Sequence, residues 1–483
     1  MIPVLTPQEM AGVDRRAGIP TAQLVERAGA ALARAAGARL GGCYGRRVVV
    51  VAGAGNNGAD GRSAAARLAR RGARVSVVEA SDLGPGQRLP AADLVVDAAF
   101  GTGLSRPYRP PDPGAAPVVA ADIPSGLSGL TGLAPAGGSA MRAERTVTFA
   151  ALKPGLLLGD GPALCGPLEV VDIGLGDLVG EVARAWLVAD DDAARWVPPR
   201  RRDSHKWRSA LQVVAGSPGM TGAPWMVCRA ALRAGAGYVR LGMPGVDLAY
   251  APLPPGELVT QALPAQGWAG DVGAGLDRFG AMVVGPGLGA TAGSASGTGA
   301  GPGLGAAAGS GSGTGAGPVG QLLAAAQLPA VVDADGINCF AGVDDLAAVV
   351  ARRRHPTVIT PHEGEYRRLV GDRPGPDRLD AVRQLARRSG AVVLLKGSTT
   401  VVAAPDGRAL LAASGSPALA TAGTGDVLSG VLGAFLAQGV PPLEAAALAA
   451  HVHGRAAGRG LSHGLVATDL PDLVGRWLSE HLG

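Results

Sequence analysis

Short apolar runs alternate with Ala-rich stretches of helical period along the chain, which predicts βαβ units built on parallel sheets. In the first half, Arg46-Arg-Val-Val-Val-Val-Ala reads as a buried strand, Arg62 to Arg71 as a helix and Ala73 to Glu79 as the next strand. Ala92 to Asp97, Val118 to Asp122 and Arg145 to Phe149 continue the series, which closes around Val170 to Ile173. A second series opens at Leu211-Gln-Val-Val-Ala. It runs through Ala281-Met-Val-Val, Ala330-Val-Val-Asp, Pro356-Thr-Val-Ile-Thr and Ala391-Val-Val-Leu-Leu. Residues 1–175 are therefore expected to form one α/β domain and 201–483 another. Between them, 176–200 reads as a linker, carrying the acidic patch Asp190 to Asp192 and the Pro198-Pro199 pair. The tract 290–320 is almost entirely Gly, Ala, Ser and Thr. With too little bulk to pack, it reads as a flexible surface insertion that interrupts the second domain without dividing it.

Composition narrows the class. A chain of 483 residues is too long for one ordinary core. With 47% hydrophobic and 17% charged residues, it is not a disordered polyelectrolyte. Glycine accounts for 77 positions, so no single glycine is a signal by itself. The net charge of +5 is spread thinly. Its densest cluster, Arg200 to Arg202 with Lys206, has no interleaved aromatics to stack bases, so no nucleic-acid partner is expected. Cys43, Cys165, Cys228 and Cys339 lack the paired spacing of a zinc or redox site and fit a reducing compartment. Met1 to Glu9 shows no basic segment followed by an apolar one, and no apolar run approaches the roughly 20 residues that span a bilayer. The cytoplasm and no membrane partner are the expectations. His451 and His453, two apart on a helix, read as packing residues rather than metal ligands. His463 has no identifiable partner and reads as structural.

Gly53-Ala-Gly55-Asn56-Asn57-Gly58 lies between a strand and a helix and literally fits a dinucleotide fingerprint, with Glu79 about where a ribose partner would sit. Asn56, Asn57 and Asp60 argue against that use. They crowd side-chain oxygens onto the helix start, where a carboxylate repels a pyrophosphate. Such oxygens suit a hard cation and sugar or amide hydrogen bonds better. Asp97 ends one apolar run and Asp122 opens Asp122-Ile-Pro-Ser125-Gly126 after another. In an open α/β sheet the carboxyl ends of the strands line the ligand crevice. Asn57, Asp97, Asp122 and Ser125 are therefore expected to converge on one spot.

These segments resemble the NAD(P)H-hydrate epimerase domain: Gly53 to Gly61, Asp97 with Phe100-Gly-Thr-Gly-Leu, Asp122-Ile-Pro-Ser-Gly, and Thr146-Val-Thr-Phe-Ala-Ala-Leu-Lys-Pro-Gly155. The resemblance implies a Rossmann-like three-layer fold over 1–175. It also implies a potassium ion held by Asn57, Asp97 and Ser125, with Asp122 as the acid–base residue. Substrate contacts are implied at Asn56, Asn57, Gly58, Ala59 and Asp60, and at Gly101, Thr102, Gly103, Leu104, Ser105, Arg106 and Pro107. Two positions depart from the family pattern. Ala59 replaces a usual Gly, and Ser128 stands where an acidic residue is common.

In the second half, Thr421-Ala-Gly-Thr-Gly-Asp426 leads into an Ala/Leu-rich helix. Backbone N–H groups of Gly423, Thr424 and Gly425 at a helix start make an anion hole for a transferring phosphoryl group. Asp426 is placed to take a proton from an attacking hydroxyl. Lys396-Gly-Ser-Thr-Thr400, Thr360-Pro-His-Glu-Gly-Glu365, Asp333-Ala-Asp335 and Gly285-Pro-Gly287 each follow a strand on the ligand side of the same inferred sheet.

This set, with His205-Lys206, Val214 to Ala223 and Ala230 to Gly237, resembles the ribokinase-like fold and specifically the ADP-dependent NAD(P)H-hydrate dehydratase domain. The resemblance implies hydrate contacts at Ala223, Gly287, His362 and Asp426, with Asp426 catalytic. It implies contacts to the adenine nucleotide at Lys396, Gly397, Ser398, Thr399, Thr400 and Gly425. Magnesium is expected to neutralise the phosphates. The implied function is metabolite repair. The first domain interconverts the R and S hydrates of NADH and NADPH, and the second uses ADP to dehydrate the S form, leaving AMP and phosphate. The expected partners are hydrated NADH/NADPH and ADP, and the chain is expected to be a homo-oligomer. Two other readings stay open here: a ribokinase-type hydroxyl kinase fused to a dinucleotide-binding domain, and a binding protein that has lost turnover.

Overall fold

The computed structural model describes residues 1–248, 257–289 and 317–482. Positions 290–316 of the expected insertion lie outside them. The end of that tract already belongs to a helix, Pro318–Ala325. Two compact units divide the chain: Ile2–Trp186 with Pro376–Arg378, and Met1 and Leu187–Gly375 with Leu379–Gly483. Among the described residues no helix is long and apolar enough to cross a membrane.

The N-terminal unit is a parallel sheet of β1 (Arg47–Ala52), β2 (Arg74–Glu79), β3 (Leu94–Ala98), β4 (Val118–Ala121), β5 (Arg145–Phe149) and β6 (Leu168–Val171) in the order β2-β1-β3-β4-β5-β6. Val48 to Val51 are buried on both faces of β1, as a central parallel strand requires. Helices α1 (Pro7–Arg16), α2 (Thr21–Leu40) and α3 (Asn56–Arg70) pack on the face that carries Val48 and Val50. The other face, with Val49, Val51, Val95 and Val118, is covered by Leu83, Leu89, Phe100, Tyr108 and Met141. The strand order reverses between β1 and β3, which places a ligand crevice at their carboxyl ends.

Helix α3 begins at Asn56, six residues ahead of the start read from periodicity. Its first turn has no apolar side chain to register a period. It forms because glycine lets the backbone close up: a Cβ on Gly58 would lie 1.8 Å from the Gly53 carbonyl oxygen, and one on Gly53 would lie 1.8 Å from that of Ala99. The 176–200 stretch is largely helical, with α4 (Gly176–Val182) in the first unit and α5 (Asp190–Trp196) in the second.

The C-terminal unit holds β7 (Ala210–Val214), β8 (Tyr238–Pro244), β9 (Leu258–Leu263), β10 (Ala281–Val284), β11 (Ala330–Val332), β12 (Thr357–Ile359), β13 (Val392–Leu395), β14 (Thr400–Ala403) and β15 (Ala409–Ala412). These follow the order β15-β14-β13-β12-β11-β10-β7-β8-β9. Strands β7 to β13 are parallel, while β14 and β15 add antiparallel at one side. Strands β8, β9, β14 and β15 were not expected from the pattern. β8 is interrupted by Arg240 and Gly242, and β9 by Thr260 and Gln261, so neither reads as a continuous apolar run. Helices α6 (Gly222–Arg233), α7 (Glu363–Val370), α8 (Thr424–Ala437), α9 (Pro442–Ala457) and α10 (Leu470–Leu482) complete the elements used below. Nearly all of α8 is buried, packed on α6, β7 and β10. Gly430 and Gly433 make that approach feasible: a Cβ at either would fall 2.1 Å from the Val227 carbonyl oxygen or 2.5 Å from Val283 Cγ2.

Candidate active sites in the two units

The carboxyl ends of β1, β3, β4 and β5 open into a cavity of about 640 Å³. Asn56, Asn57, Asp60, Gly101 to Arg106 and Asp122 line it, together with Asp14 and Lys153. Gly58, Ala59 and Pro107 are not among its lining residues, and Gly58 is spent on the tight turn. Asp122 follows β4 in the left-handed region, at φ 64°. For a residue with a Cβ this conformation costs roughly 1–2 kcal/mol. It turns the carboxylate toward β5, where Oδ1 accepts from Thr148 Oγ1 at 3.1 Å, from the Phe149 amide at 3.4 Å and from the Lys153 ammonium.

Lys153 is the residue that sequence reasoning did not assign. It is only 1% exposed, and its ammonium also donates to Thr148 Oγ1 at 2.9 Å and to the Phe149 carbonyl at 3.0 Å. A lysine in an apolar run just after a strand end was the available signal. Asp60 is 8% exposed. Burial first, then the nearby Asp122 charge, pushes its pKa up to about 8.

Behind the cavity, Asp97 is fully buried and accepts from the Ser125 amide at 2.8 Å and the Ala99 amide at 3.4 Å. Burial raises its pKa against these hydrogen bonds. Ser125 Oγ accepts from the Phe100 amide at 2.8 Å and donates to the Phe100 carbonyl at 3.1 Å. The adjoining Gly101 lies against Asn57, whose side chain is 3.5 Å from where a Gly101 Cβ would be. Both polar atoms of the Asn57 amide are buried without a partner among the described residues. An orphan amide oxygen, a buried carboxylate with no cationic partner among the described residues and a hydroxyl, gathered around one backbone segment, form an oxygen donor set that fits a hard monovalent cation. Glu79 is taken up by an ion pair with Arg62.

In the C-terminal unit the catalytic candidates sit at the carboxyl ends of β10 to β13 and the start of α8. Gly423, with φ 90°, is the N-cap of α8, so the Gly423, Thr424 and Gly425 amides are among the donors a helix leaves open. Thr424 Oγ1 ties the turn down by donating to the carbonyls of Leu419 (2.9 Å) and Thr421 (3.1 Å). A Cβ on Gly425 would lie 3.4 Å from Lys396 Nζ, so those two are neighbours. Lys396 Nζ is 2.6 Å from Asp333 Oδ1, which also accepts from Thr360 Oγ1 at 2.7 Å, while Asp333 Oδ2 accepts from Ser429 Oγ at 2.7 Å. Asp333 is 1% exposed. Burial alone would raise its pKa, but Lys396, Ser429 and Thr360 hold it below the usual carboxylate value. Burial likewise opposes the Lys396 charge, and Asp333 and Glu365 outweigh it to raise that pKa. For Asp426, burial and then Asp333 push the pKa up to about 6 against the pull of Lys396.

Ala223 and Gly287 come together: a Gly287 Cβ would be 3.1 Å from that of Ala223. Gly287 has φ 65° and its carbonyl accepts from Ser217 Oγ at 2.9 Å. His362 is exposed and caps α7, its Nδ1 accepting from the amides of Gly364 (2.9 Å) and Glu365 (3.3 Å). Gly397 and Ser398 are exposed at the β13–β14 turn, with Thr399 buried and Thr400 opening β14. His451 is buried on α9, its Nε2 2.7 Å from Asp190 Oδ1. His453 is also buried, close to the start of α8, and burial drives its pKa down to about 4.

Comparisons with known proteins agree along the whole chain. Residues 211–478 match the family model described as NAD(P)H-hydrate dehydratase, and 21–89 with 78–155 match YjeF-related protein N-terminus. The chain is 39% identical to the bifunctional NAD(P)H-hydrate repair enzyme Nnr of Salinibacter ruber, covering 100% of this chain and 97% of that one. It is 40% identical to the enzyme of the same name from Mycobacterium tuberculosis (strain H37Rv), over 89% of this chain and 88% of that one. A solved ADP/ATP-dependent NAD(P)H-hydrate dehydratase from Bacillus subtilis, co-crystallised with ATP/Mg2+, aligns at 24% identity and TM-score 0.47, covering 61% of this chain and 97% of that one.

Proposed function

This chain belongs to the bifunctional NAD(P)H-hydrate repair enzymes, which join an epimerase and a dehydratase in one polypeptide, and from that premise we propose which residues carry each reaction. In the N-terminal unit the hydrated nicotinamide ring occupies the cavity under Asp122, which acts as the acid–base residue for inversion of the hydrated carbon while Lys153 fixes its carboxylate. Asn57, Asp97 and Ser125 would hold a potassium ion. Its charge would offset the buried Asp97 carboxylate and steady the Phe100–Gly101 backbone that floors the cavity.

In the C-terminal unit, Lys396 to Thr400 and Gly425 bind ADP, whose phosphate charge a magnesium ion would neutralise. The hydrate sits against Ala223, Gly287 and His362. Asp426 takes the proton of its ring hydroxyl as that oxygen attacks the terminal phosphoryl group. The open amides of Gly423, Thr424 and Gly425 receive the charge that develops. That transfer leaves AMP, and loss of phosphate from one ring carbon together with a proton from its neighbour, released to solvent, then restores the double bond of NAD(P)H. A general base must reach its operating pH partly ionised, and a carboxyl raised to about 6 does so.

The observation carrying the reading is the closeness of Gly425 to Lys396 Nζ, whose ammonium pairs with Asp333 and opposes the rise that burial gives the Asp426 pKa; it supports a base beside a cation and the amides of a helix start. The test is a pair of variants in the full chain. Asp426→Asn should stop ADP-dependent regain of reduced-nicotinamide absorbance from S hydrate while R and S still interconvert, and Asp122→Asn should do the reverse. A single variant that stops both reactions, or neither, refutes the division of labour.

A further inference from the structure

We propose that Asp60 is the second proton-transfer residue of the epimerase site, the acid that works opposite Asp122 during inversion of the hydrated carbon. The proposal rests on the assignment of Asp122 above. The cavity treats its two inner carboxyls differently. Both line the same 640 Å³ space, but the one available ammonium, that of Lys153, goes to Asp122. Asp122 also accepts from Thr148 and Phe149. Asp60, in the first turns of α3 and 8% exposed, is reached by no hydrogen bond or ion pair among the described residues. A buried carboxyl that faces a cavity and has neither donor nor cation is stable only when neutral, and a neutral carboxyl is a proton donor. Of the three carboxyls that line the pocket, Asp14 is exposed; the inner two, one held by a cation and one left without, supply the base and the acid from the same residue type.

The charged groups that face Asp60 across the cavity are Asp14 from α1, Asp122 and Lys153 from the strand ends, and Arg106 from the loop after β3. Burial first, then the Asp122 charge, pushes the Asp60 pKa up to about 8, so the carboxyl keeps its proton at neutral pH.

The step balances without an oxidant or reductant. Asp60 passes its proton to the hydroxyl on the hydrated carbon. The C–O bond breaks with its electron pair leaving on water, while the ring nitrogen lone pair closes a C=N double bond. Water then adds to the opposite face, forming the new C–O bond. The C=N pair returns to nitrogen, and the surplus proton passes to Asp122. The net change is inversion, with one proton moved from Asp60 to Asp122 and reset through solvent.

The test uses the full-length chain carrying Asp60→Asn, Asp60→Glu or Asp122→Asn, given pure R hydrate of NADH, with epimer composition followed by chromatography from pH 6 to 9. Asp60→Asn keeps the shape of a neutral carboxyl without its transferable proton, so exchange should fall at least about 100-fold. Hydrate binding, read by equilibrium dialysis, should stay within about threefold of the parent. Asp60→Glu should retain more exchange than Asp60→Asn. The parent's rate should decline as pH rises through Asp60's value, and that decline should be missing from the residual rate of Asp60→Asn. Parental exchange by Asp60→Asn overturns the assignment. If Asp122→Asn is also parental, the Asp122 reading falls with it, whereas loss confined to Asp122→Asn removes only the part given to Asp60. Should Asp60→Asn no longer bind hydrate, the parent profile decides, and the absence of an alkaline decline refutes the proposal.

Discussion

Replacing Lys396 by Met separates the two jobs that the Asp333–Lys396 pair performs. The pair is nearly enclosed: Asp333 is 1% exposed and the Lys396 side chain 21%. Removing one partner of a buried ion pair costs about 3–5 kcal/mol, because the remaining charge is left uncompensated. Asp333 would keep its hydrogen bonds from Thr360 and Ser429, both at 2.7 Å, which favours the low end, about 3 kcal/mol. For a unit of this size, each kcal/mol lowers Tm by about 2–4 °C, so its melting transition should drop by roughly 6–12 °C.

The deficit has a pH signature. In the parent the Asp333 pKa is held low, so its stabilisation is present above the unfolded value and is lost as pH falls through the folded one. Without Lys396, burial dominates and the Asp333 pKa rises above the unfolded value. The variant's deficit should therefore be largest near neutrality and shrink as acid protonates Asp333. Adding Asp333→Asn to the variant should restore most of the lost stability while leaving dehydration impaired, since the ammonium we propose for the nucleotide is still missing. Calorimetry of the three proteins between pH 5 and 8 checks this. A Lys396→Met transition within about 1 °C of the parent at pH 7, or a deficit that does not vary with pH, refutes the argument that the pair is a buried, mutually compensating one.

Two further outcomes follow from the same geometry. Since Asp426 must be ionised to accept a proton, and burial with Asp333 raises it to about 6, kcat/KM for dehydration should fall about tenfold per pH unit below that point. Asp333→Asn should move this acid limb to lower pH, and a limb that stays in place would show that Asp333 does not act on Asp426. Replacing potassium by choline should depress epimer exchange and lower the melting temperature of the N-terminal unit, while Asn57→Ala should remove the potassium dependence. At a potassium concentration 100 times its Kd the stabilisation lost is about 2.7 kcal/mol, and a melting profile indifferent to the cation refutes a site at Asn57, Asp97 and Ser125.

Much of the fold was legible because both units are built on parallel strands, which are buried on both faces and so appear as continuous apolar runs. Strands β1, β5 and β10 fell within a residue of their expected ends for this reason. Strands β8 and β9 carry Arg240 and Gln261, and β14 and β15 form a side hairpin, so they lacked that mark. The start of α3 was misplaced because its first turn is set by glycine contacts with Gly53, which no period reveals. Candidate site residues were legible wherever a strand ended in a charged residue, as at Asp97, Asp122, Asp333 and Lys396. What such residues do to one another was not.

The order of apolar runs along this polypeptide, together with polar residues at their carboxyl ends, suffices to specify two crevice-forming sheets and to nominate Asp122, while the Gly-Thr-Gly-Asp turn at a helix start nominates Asp426. That information is local: it lives in side-chain period and in the residue that follows each strand. Which carboxyl receives Lys153 and which goes without, which lysine compensates Asp333, and why Asn57 is left with an unanswered amide are settled only when segments tens of residues apart are brought within a few ångströms. Desolvation and Coulomb interaction depend on that proximity, and both are properties of three-dimensional distance rather than of sequence spacing.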